Sequence, residues 1–319
     1  EPSSPSEQTA PPAMHWAHQR ERSAIPVVRF MAWLSLTLGR RISRVVVYGI
    51  AAYFFVFAPK ARKASRAYLQ RVLPHTVTAR DGYRHVLSFA SCIHDRVYWL
   101  CGRHDLFDID VQGLEHVLAA RQPCGADAED AAPRQGIVFM GAHLGSFEAL
   151  RMLSETHGTR VRMLMYPDNA QKINAVLAAI NPSLQDCIIP LGRADSMLNV
   201  QACLQRGECV GALADRQLGN EPGVEFDFLG SKAHFSDGPF RLAAMLKTQV
   251  VFMAGLYLGG NRYRIQFLPV ADFRQTPRQD RAQAVKAAQA QYVQHLEATC
   301  RQAPMNWFNF YDFWHEDPH

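Results

Sequence analysis

The stretch from residue 136 to residue 156 constrains the fold of this chain most strongly, because it joins a strand pattern to a helix pattern through a short loop. The apolar residues 136–140 are typical of a buried strand, and residues 147–156 have helical spacing. Gly145 allows a tight turn between them, and Ser146 is a candidate helix N-cap. The sequence therefore predicts a strand–loop–helix unit of an α/β protein.

The alternation of strand and helix patterns continues after residue 156. Further strands are predicted at 161–166, 187–191 and 209–214, and further helices at 169–180 and 195–206. This alternation predicts an α/β fold with a mainly parallel sheet and helices on both faces. Upstream and downstream of it, the sequence predicts helices at 81–103, 239–247 and 279–301 and strands at 108–111, 226–228, 250–258 and 262–270. No separate C-terminal domain is required.

His143 lies at the carboxyl end of the first predicted strand, the sheet edge where open α/β proteins bind ligands. An imidazole there can accept a proton near neutral pH. Glu148 can orient it only if His143 precedes the helix, since residues five apart on one helix do not share a face. We therefore predict His143 as a general base and Glu148 as its carboxylate partner. A buried histidine beside a first-turn glutamate that the helix dipole favours is the purely structural alternative.

The spacing from His143 to Glu148 resembles the His-x4-Asp/Glu motif of glycerolipid acyltransferases. From about Arg29 to its end the chain resembles, more closely, the late acyltransferases of bacterial lipid A biosynthesis. Four further blocks carry this resemblance, at residues 189–193, 214–219, 224–230 and 236–243. The resemblance implies a glycerolipid acyltransferase-like fold with an N-terminal membrane-associating segment. It also implies direct acyl transfer from acyl carrier protein or coenzyme A to a lipid hydroxyl, at the cytoplasmic face of the bacterial inner membrane and without a cofactor.

Several residues are predicted to contact substrate. The backbone N–H groups of Ser146 and Phe147 are candidate donors to the reaction's oxyanion, and the Ser146 hydroxyl is an alternative nucleophile, although no Gly-x-Ser-x-Gly elbow surrounds it. The resemblance carries over Asp215. Arg216 stands where the family usually has histidine or glutamine. The candidate ligands for substrate phosphates are Arg193 and Arg241.

Tyr166 occupies a place where the lipid A enzymes commonly carry an arginine, and Lys172 can compensate one helical turn later. The resemblance implies lipid A or another glycolipid as the acceptor, and this departure, together with the aromatic C-terminus, indicates the alternative of a lipid from another pathway, such as one that makes aryl polyenes. A non-catalytic lipid-binding protein and a hydrolase of the same fold are further alternatives.

The N-terminal quarter combines apolar runs at 28–39 and 45–58 with basic residues that only Glu21 opposes between Arg20 and Arg71. The second run is shorter than the roughly 18 residues of a clean membrane span. We predict a disordered lead at 1–27, helices at 28–75 that enter one leaflet or lie at the membrane surface, and an acyltransferase domain at 76–319. A core helix is the alternative. The charges bracket apolar runs, so no nucleic-acid partner is expected.

The cysteines and the C-terminus add two expectations. The seven cysteines have no metal-ligand spacing, so we predict buried thiols and no metal site. Residues 304–314 contain six aromatic side chains, which predicts a terminal segment packed on the core or, alternatively, a patch that faces the membrane or the acyl chain.

Overall fold

The computed structural model describes residues 25–122, 135–150, 158, 160–165, 187–192, 195–216 and 223–314. Within these ranges the structure has a seven-stranded sheet. Its strands are β1 (Asp108–Gln112), β2 (Val138–Gly141), β3 (Val161–Met165), β4 (Ile188–Pro190), β5 (Cys209–Leu213), β8 (Gln249–Gly259) and β9 (Arg262–Asp272). Their order is β1-β9-β8-β2-β5-β3-β4, and every neighbouring pair is parallel except β8 with β9, so β1 and β9 run opposite to the other five. The predicted α/β class and mainly parallel sheet are confirmed.

Helices and a small hairpin surround this sheet. The antiparallel hairpin comprises β6 (Val224–Phe228) and β7 (Ser231–Phe235). The helices are α1 (Ile25–Phe57), α2 (Pro59–Val72), α3 (Ala79–Leu100), α4 (Leu114–Ala120), α5 (Ser196–Gln205), α6 (Gly238–Met245) and α7 (Arg281–Gln302). Of the predicted helix at 147–156, the described part is a 3-10 turn, Phe147–Leu150. The predicted helix at 169–180 lies outside the described residues.

Side chains of the central strand enter two hydrophobic cores, one on each face of the sheet. Val138 and Met140 belong to the core that includes α6 and α7, whereas Ile137 and Phe139 belong to the core that includes α3 and α4. This alternation follows from the period of two along a strand. Apolar side chains cover both faces of β2, so polar residues can approach this strand at its carboxyl end. The prediction of buried thiols holds for four cysteines, at 92, 203, 209 and 300, whereas Cys101 and Cys187 are only partly buried and Cys124 lies outside the described residues.

The two apolar runs at the N-terminus form one helical segment with a kink. Gly39 has a φ of 77°, which interrupts α1 between them. One face of α1 packs on α3 through small residues at intervals of four, namely Ser43, Val47 and Ala51. Over the described residues, no single helix is long and apolar enough to cross a membrane, but Trp33–Phe57 and Pro59–Val72, bent by 95°, meet that length and composition together.

A buried ion pair fixes α1 to the domain. Both guanidinium nitrogens Nε and Nη2 of Arg40 donate to Asp95 of α3 at 2.8 Å, and the Tyr263 hydroxyl of β9 donates to the same carboxylate at 2.8 Å. Arg44, one turn later, donates to the carbonyl of Gly260 and the hydroxyl of Tyr257. Arg40 also donates from Nη2 to the Gly260 carbonyl at 2.6 Å, so both arginines bind the β8–β9 hairpin and differ in role from the exposed basic residues of the predicted surface helices.

Candidate active site

The loop after β2 carries His143 to the carboxyl edge of the sheet. Gly145 adopts a φ of 59°, and a side chain there would collide with the Gly255 carbonyl. The Ser146 amide donates to that same carbonyl at 2.7 Å. The loop is therefore tied to β8, and the amide of Ser146 is not free to stabilise an oxyanion, which corrects the prediction that it does.

His143 is paired with Asp215, which lies at the end of the neighbouring strand β5. The Nδ1 atom of His143 is 2.9 Å from Oδ1 of Asp215, and the His143 amide donates to Oδ2 at 3.1 Å. The parallel register explains the meeting, because Gly141 is opposite Leu213 and each functional residue lies two positions further on. Asp215 is only 1% exposed, whereas the His143 side chain is 32% exposed. The pair thus has a buried acid and an accessible imidazole.

Glu148 pairs with an arginine of α3 in the structure and not with His143. Its Oε1 is 2.5 Å from Nε of Arg96, a residue of α3, and its Oε2 accepts a hydrogen bond from the Ser146 hydroxyl at 3.2 Å. The carboxylate observed at Nδ1 of His143 is that of Asp215, so the orienting role of Glu148 stays a prediction that these contacts do not support. The physical reason is that Arg96 offers Glu148 a full positive charge, while Asp215 already occupies Nδ1 of His143.

Ser146 supports this second pair from inside the protein. The residue is buried, and its hydroxyl donates to Glu148. The hydroxyl is therefore engaged by Glu148, and its predicted contact with substrate stays a prediction.

Desolvation and the surrounding charges favour a neutral His143 and an ionised Asp215 near neutral pH. Partial desolvation by the surrounding protein lowers the pKa of His143, and the positive charges of Arg216 and Arg96 lower it further against the opposing effect of Asp215. Burial raises the pKa of Asp215, but the interaction with the imidazole of His143, which is charged at the low pH where Asp215 would titrate, together with the Arg216 charge and a hydrogen bond from Trp307, holds it well below its ordinary value. An ionised carboxylate only accepts, so Nδ1 carries the proton and Nε2 keeps the lone pair.

Arg216 stands beside this pair. Its Nη2 donates to the carbonyl of Phe308 at 3.3 Å, and its guanidinium lies 5.1 Å from the centre of the Tyr311 ring. The stacking and the hydrogen bond limit the positions that the guanidinium can take. A fixed positive charge beside the imidazole is suited to an anionic group of a substrate.

A family model for bacterial lipid A biosynthesis acyltransferases matches residues 15–316. The chain belongs to this family. Its members transfer acyl groups, so the protein is an acyltransferase whose acceptor is a lipid. No curated protein sequence matches the chain significantly.

Only some of the residues predicted for the site lie close together in the structure. His143, Asp215 and Arg216 meet at one edge of the sheet, with Glu148 beside them through Arg96. Arg241 is exposed on α6 and pairs with Asp237 one turn earlier, at 3.9 Å. Its role as a phosphate ligand stays a prediction. Tyr166, Lys172 and Arg193 lie outside the described residues.

Two contributors to the acyltransferase site had no assigned role in the sequence. Arg96 belongs to the predicted helix at 81–103, where nothing distinguished it from a solvated surface residue. Trp307 lies in the aromatic C-terminus, whose composition indicated packing but no contact with the acid of the site. Both residues are far from His143 in the sequence and are brought near it by the tertiary packing.

Proposed function

We propose that the protein is a membrane-associated O-acyltransferase that moves a fatty acyl group from a thioester, on acyl carrier protein or coenzyme A, to a hydroxyl of a lipid. The observation that carries this proposal is the accessible, neutral imidazole of His143 bound through Nδ1 to the buried carboxylate of Asp215. This arrangement is a general base with an acid that stabilises its protonated form.

In the proposed reaction, Nε2 of His143 accepts the proton of the acceptor hydroxyl while the oxygen attacks the thioester carbonyl carbon. The C–O bond forms and the carbonyl oxygen becomes an oxyanion. The oxyanion then collapses, the C–S bond breaks, and the thiolate leaves with the proton that His143 had accepted. Asp215 stabilises the imidazolium between these steps. The products are an ester and a thiol, and no acyl group becomes attached to the enzyme.

Two arginines supply positive charge to this reaction. The charges of Arg216 and Arg96 both act on His143, and they do so by lowering its pKa. Positive charge that keeps the resting imidazole neutral also favours the negative charge that develops on the carbonyl oxygen. We assign to Arg216 the contact with an anionic group of donor or acceptor, and to Glu148 the positioning of Arg96.

The acceptor proposed from the family is lipid A or a related glycolipid. Tyr166 in place of an arginine supports the alternative, an acceptor of another lipid pathway such as one that makes aryl polyenes. An arginine binds phosphate in a bidentate way that tyrosine cannot reproduce, so its replacement favours a less phosphorylated acceptor.

The proposed activity can be tested with radiolabelled acyl thioesters and total bacterial polar lipids, comparing the wild type with His143→Ala. A labelled lipid formed by the wild type and lost in the variant supports acyl transfer. Release of free fatty acid alone indicates a hydrolase, and retained lipid binding without turnover indicates a lipid-binding protein; either result contradicts the proposal. Acyl carrier protein and coenzyme A thioesters are supplied in separate reactions to identify the donor.

The pH profile of kcat/KM reports the protonation of the base. Because His143 must be neutral to accept a proton, activity is expected to fall as the pH decreases through its pKa. Burial and the neighbouring arginines place that pKa below the ordinary value of about 6.5. A midpoint above 6.5 on the acidic limb, measured under first-order conditions, would contradict this account of the electrostatics.

The proposed location is the cytoplasmic face of the bacterial inner membrane. Opposite its buried face, α1 exposes large apolar side chains, including Val45, Tyr53, Phe54 and Phe57, the last 68% exposed. Exposed basic residues follow on α2, at Lys60, Arg62, Lys63 and Arg66. An apolar face beside positive charges matches a membrane surface with anionic lipid headgroups.

Replacing Phe54 and Phe57 together by serine is expected to lower binding to phosphatidylglycerol-containing vesicles at least tenfold, because each exposed ring contributes about 1–3 kcal/mol when it leaves water. Sedimentation with vesicles measures the partitioning. Leu198→Ser, an equally exposed apolar residue of α5, is the matched control and should bind like the wild type. Equal partitioning of all three proteins would refute the membrane contact of α1.

A further inference from the structure

The C-terminal segment Asn306–Phe310 lies against the loop that carries His143. Leu144 and Trp307 form an antiparallel bridge, the Phe308 amide donates to the His143 carbonyl at 2.8 Å, and the Gly145 amide donates to the Asn306 carbonyl at 2.9 Å. The segment therefore acts as an added strand beside the loop, and it fixes the backbone on both sides of the base.

The segment is itself held from two directions. The side chain of Asn306 bonds both backbone groups of Tyr257 at the end of β8, accepting at 2.7 Å and donating at 3.1 Å. His85 of α3 is 2.8 Å from the Trp307 carbonyl through Nε2 and 2.8 Å from the Ser65 hydroxyl of α2 through Nδ1. Trp307 thus has little freedom to move relative to the sheet.

The indole of Trp307 reaches the acid of the site. Its Nε1–H donates to Oδ2 of Asp215 at 3.0 Å, so the carboxylate accepts from Trp307 and from the His143 amide on one oxygen and from the imidazole on the other. The ring is 1% exposed and packs edge-on against Tyr68 and Phe228, with centroids 5.0 and 5.3 Å away. A buried carboxylate with donors on both oxygens has one preferred rotation.

We propose that Trp307 is a positioning residue, whose indole N–H holds the Asp215 carboxylate in the rotation that presents Oδ1 to Nδ1 of His143. This inference rests on the proposed catalytic role of His143 and extends it to the C-terminal segment. Trp307 is then part of the machinery that orients the base, in addition to its contribution to packing.

The matched control lies seven residues later. Trp314 belongs to the same aromatic cluster, 6.0 Å from Trp307 between ring centres, and it stacks on Phe228. Its indole nitrogen is buried without a hydrogen-bond partner among the described residues. Trp307→Phe and Trp314→Phe therefore remove the same atoms from one cluster, but only the first removes a donor to the site.

The test is a double-mutant cycle on kcat with Trp307→Phe and Asp215→Asn, alongside Trp314→Phe. We expect Trp307→Phe to lower kcat about tenfold with KM unchanged in the wild-type background, and less than twofold in the Asp215→Asn background, because the indole acts through Asp215. Trp314→Phe should stay within twofold of the wild type. The proposal would be overturned if Trp307→Phe lowered kcat by the same factor in the wild-type and Asp215→Asn backgrounds. Equal losses of kcat in Trp307→Phe and Trp314→Phe would overturn it too.

A second measurement separates this inference from the proposed function. If the wild type shows no acyl transfer, the proposed function fails, but the pKa of His143 measured by NMR still reports the contact. Asp215 raises that pKa, and loss of its fixed orientation in Trp307→Phe should lower it. Should Trp307→Phe fail to fold, site-specific incorporation of benzothienylalanine replaces the N–H by sulfur in a ring of similar size. An unchanged His143 pKa in a folded variant would contradict the proposal.

Discussion

Replacing Asp215 by asparagine is expected to lower kcat by about 10²–10⁴, the range that general-base assistance contributes. Asparagine keeps the size of the side chain but removes the charge that stabilises the imidazolium of His143. Because Asp215 is buried behind the imidazole and does not face solvent, substrate binding should change little and the loss should appear in kcat. Steady-state assays with labelled thioester measure both parameters.

Glu148→Gln is the informative companion to that variant. Its carboxylate pairs with Arg96 and not with His143, so the loss of kcat should be clearly smaller than for Asp215→Asn. The sequence alone assigned the role of carboxylate partner to Glu148. A larger loss for Glu148→Gln than for Asp215→Asn would restore Glu148 as the partner of the base.

Asp95→Ala is expected to lower the free energy of unfolding by about 3–5 kcal/mol, because it leaves the buried guanidinium of Arg40 without its counter-charge. The Tyr263 hydroxyl loses its acceptor in the same substitution. Urea denaturation followed by circular dichroism measures the change, and a change in midpoint at constant slope identifies it as lost stability.

The control for this prediction is Asp105→Ala, which removes an exposed acid paired with Arg103. Solvent screens such a pair, so its removal should shift the midpoint far less. Similar shifts for the two variants would show that the pair of Arg40 and Asp95 is no stronger than a surface contact.

The periodicity of the sequence predicted where the strands and helices lie along the chain. It did not predict which strands are adjacent in the sheet. The strands at 136–141 and 209–214 were both predicted, with His143 and Asp215 each two residues beyond the strand's last paired position. Nothing in the pattern shows that β2 and β5 are adjacent, since that depends on how the crossover helices pack. Glu148 was selected because it is close in sequence, whereas the actual partner is close in space.

The charges of the N-terminal helices show the same limit. Arg40 and Arg44 resemble the other basic residues that flank the apolar runs, and composition alone assigns all of them to a membrane surface. Their partners, Asp95 of α3 and the β8–β9 hairpin, are more than 50 residues away in sequence. The sequence therefore predicted the helices but not which of their cations are paired within the protein.

The central claim is that His143 is a neutral base whose Nδ1–H is bound by Asp215. The nitrogen chemical shifts of its imidazole, assigned by comparison with His143→Ala, test this most directly. At pH 7.5 the account predicts a protonated Nδ1 and an unprotonated Nε2, altered by Asp215→Asn and unaffected by Glu148→Gln. A protonated Nε2, or a response to Glu148→Gln and none to Asp215→Asn, would contradict it.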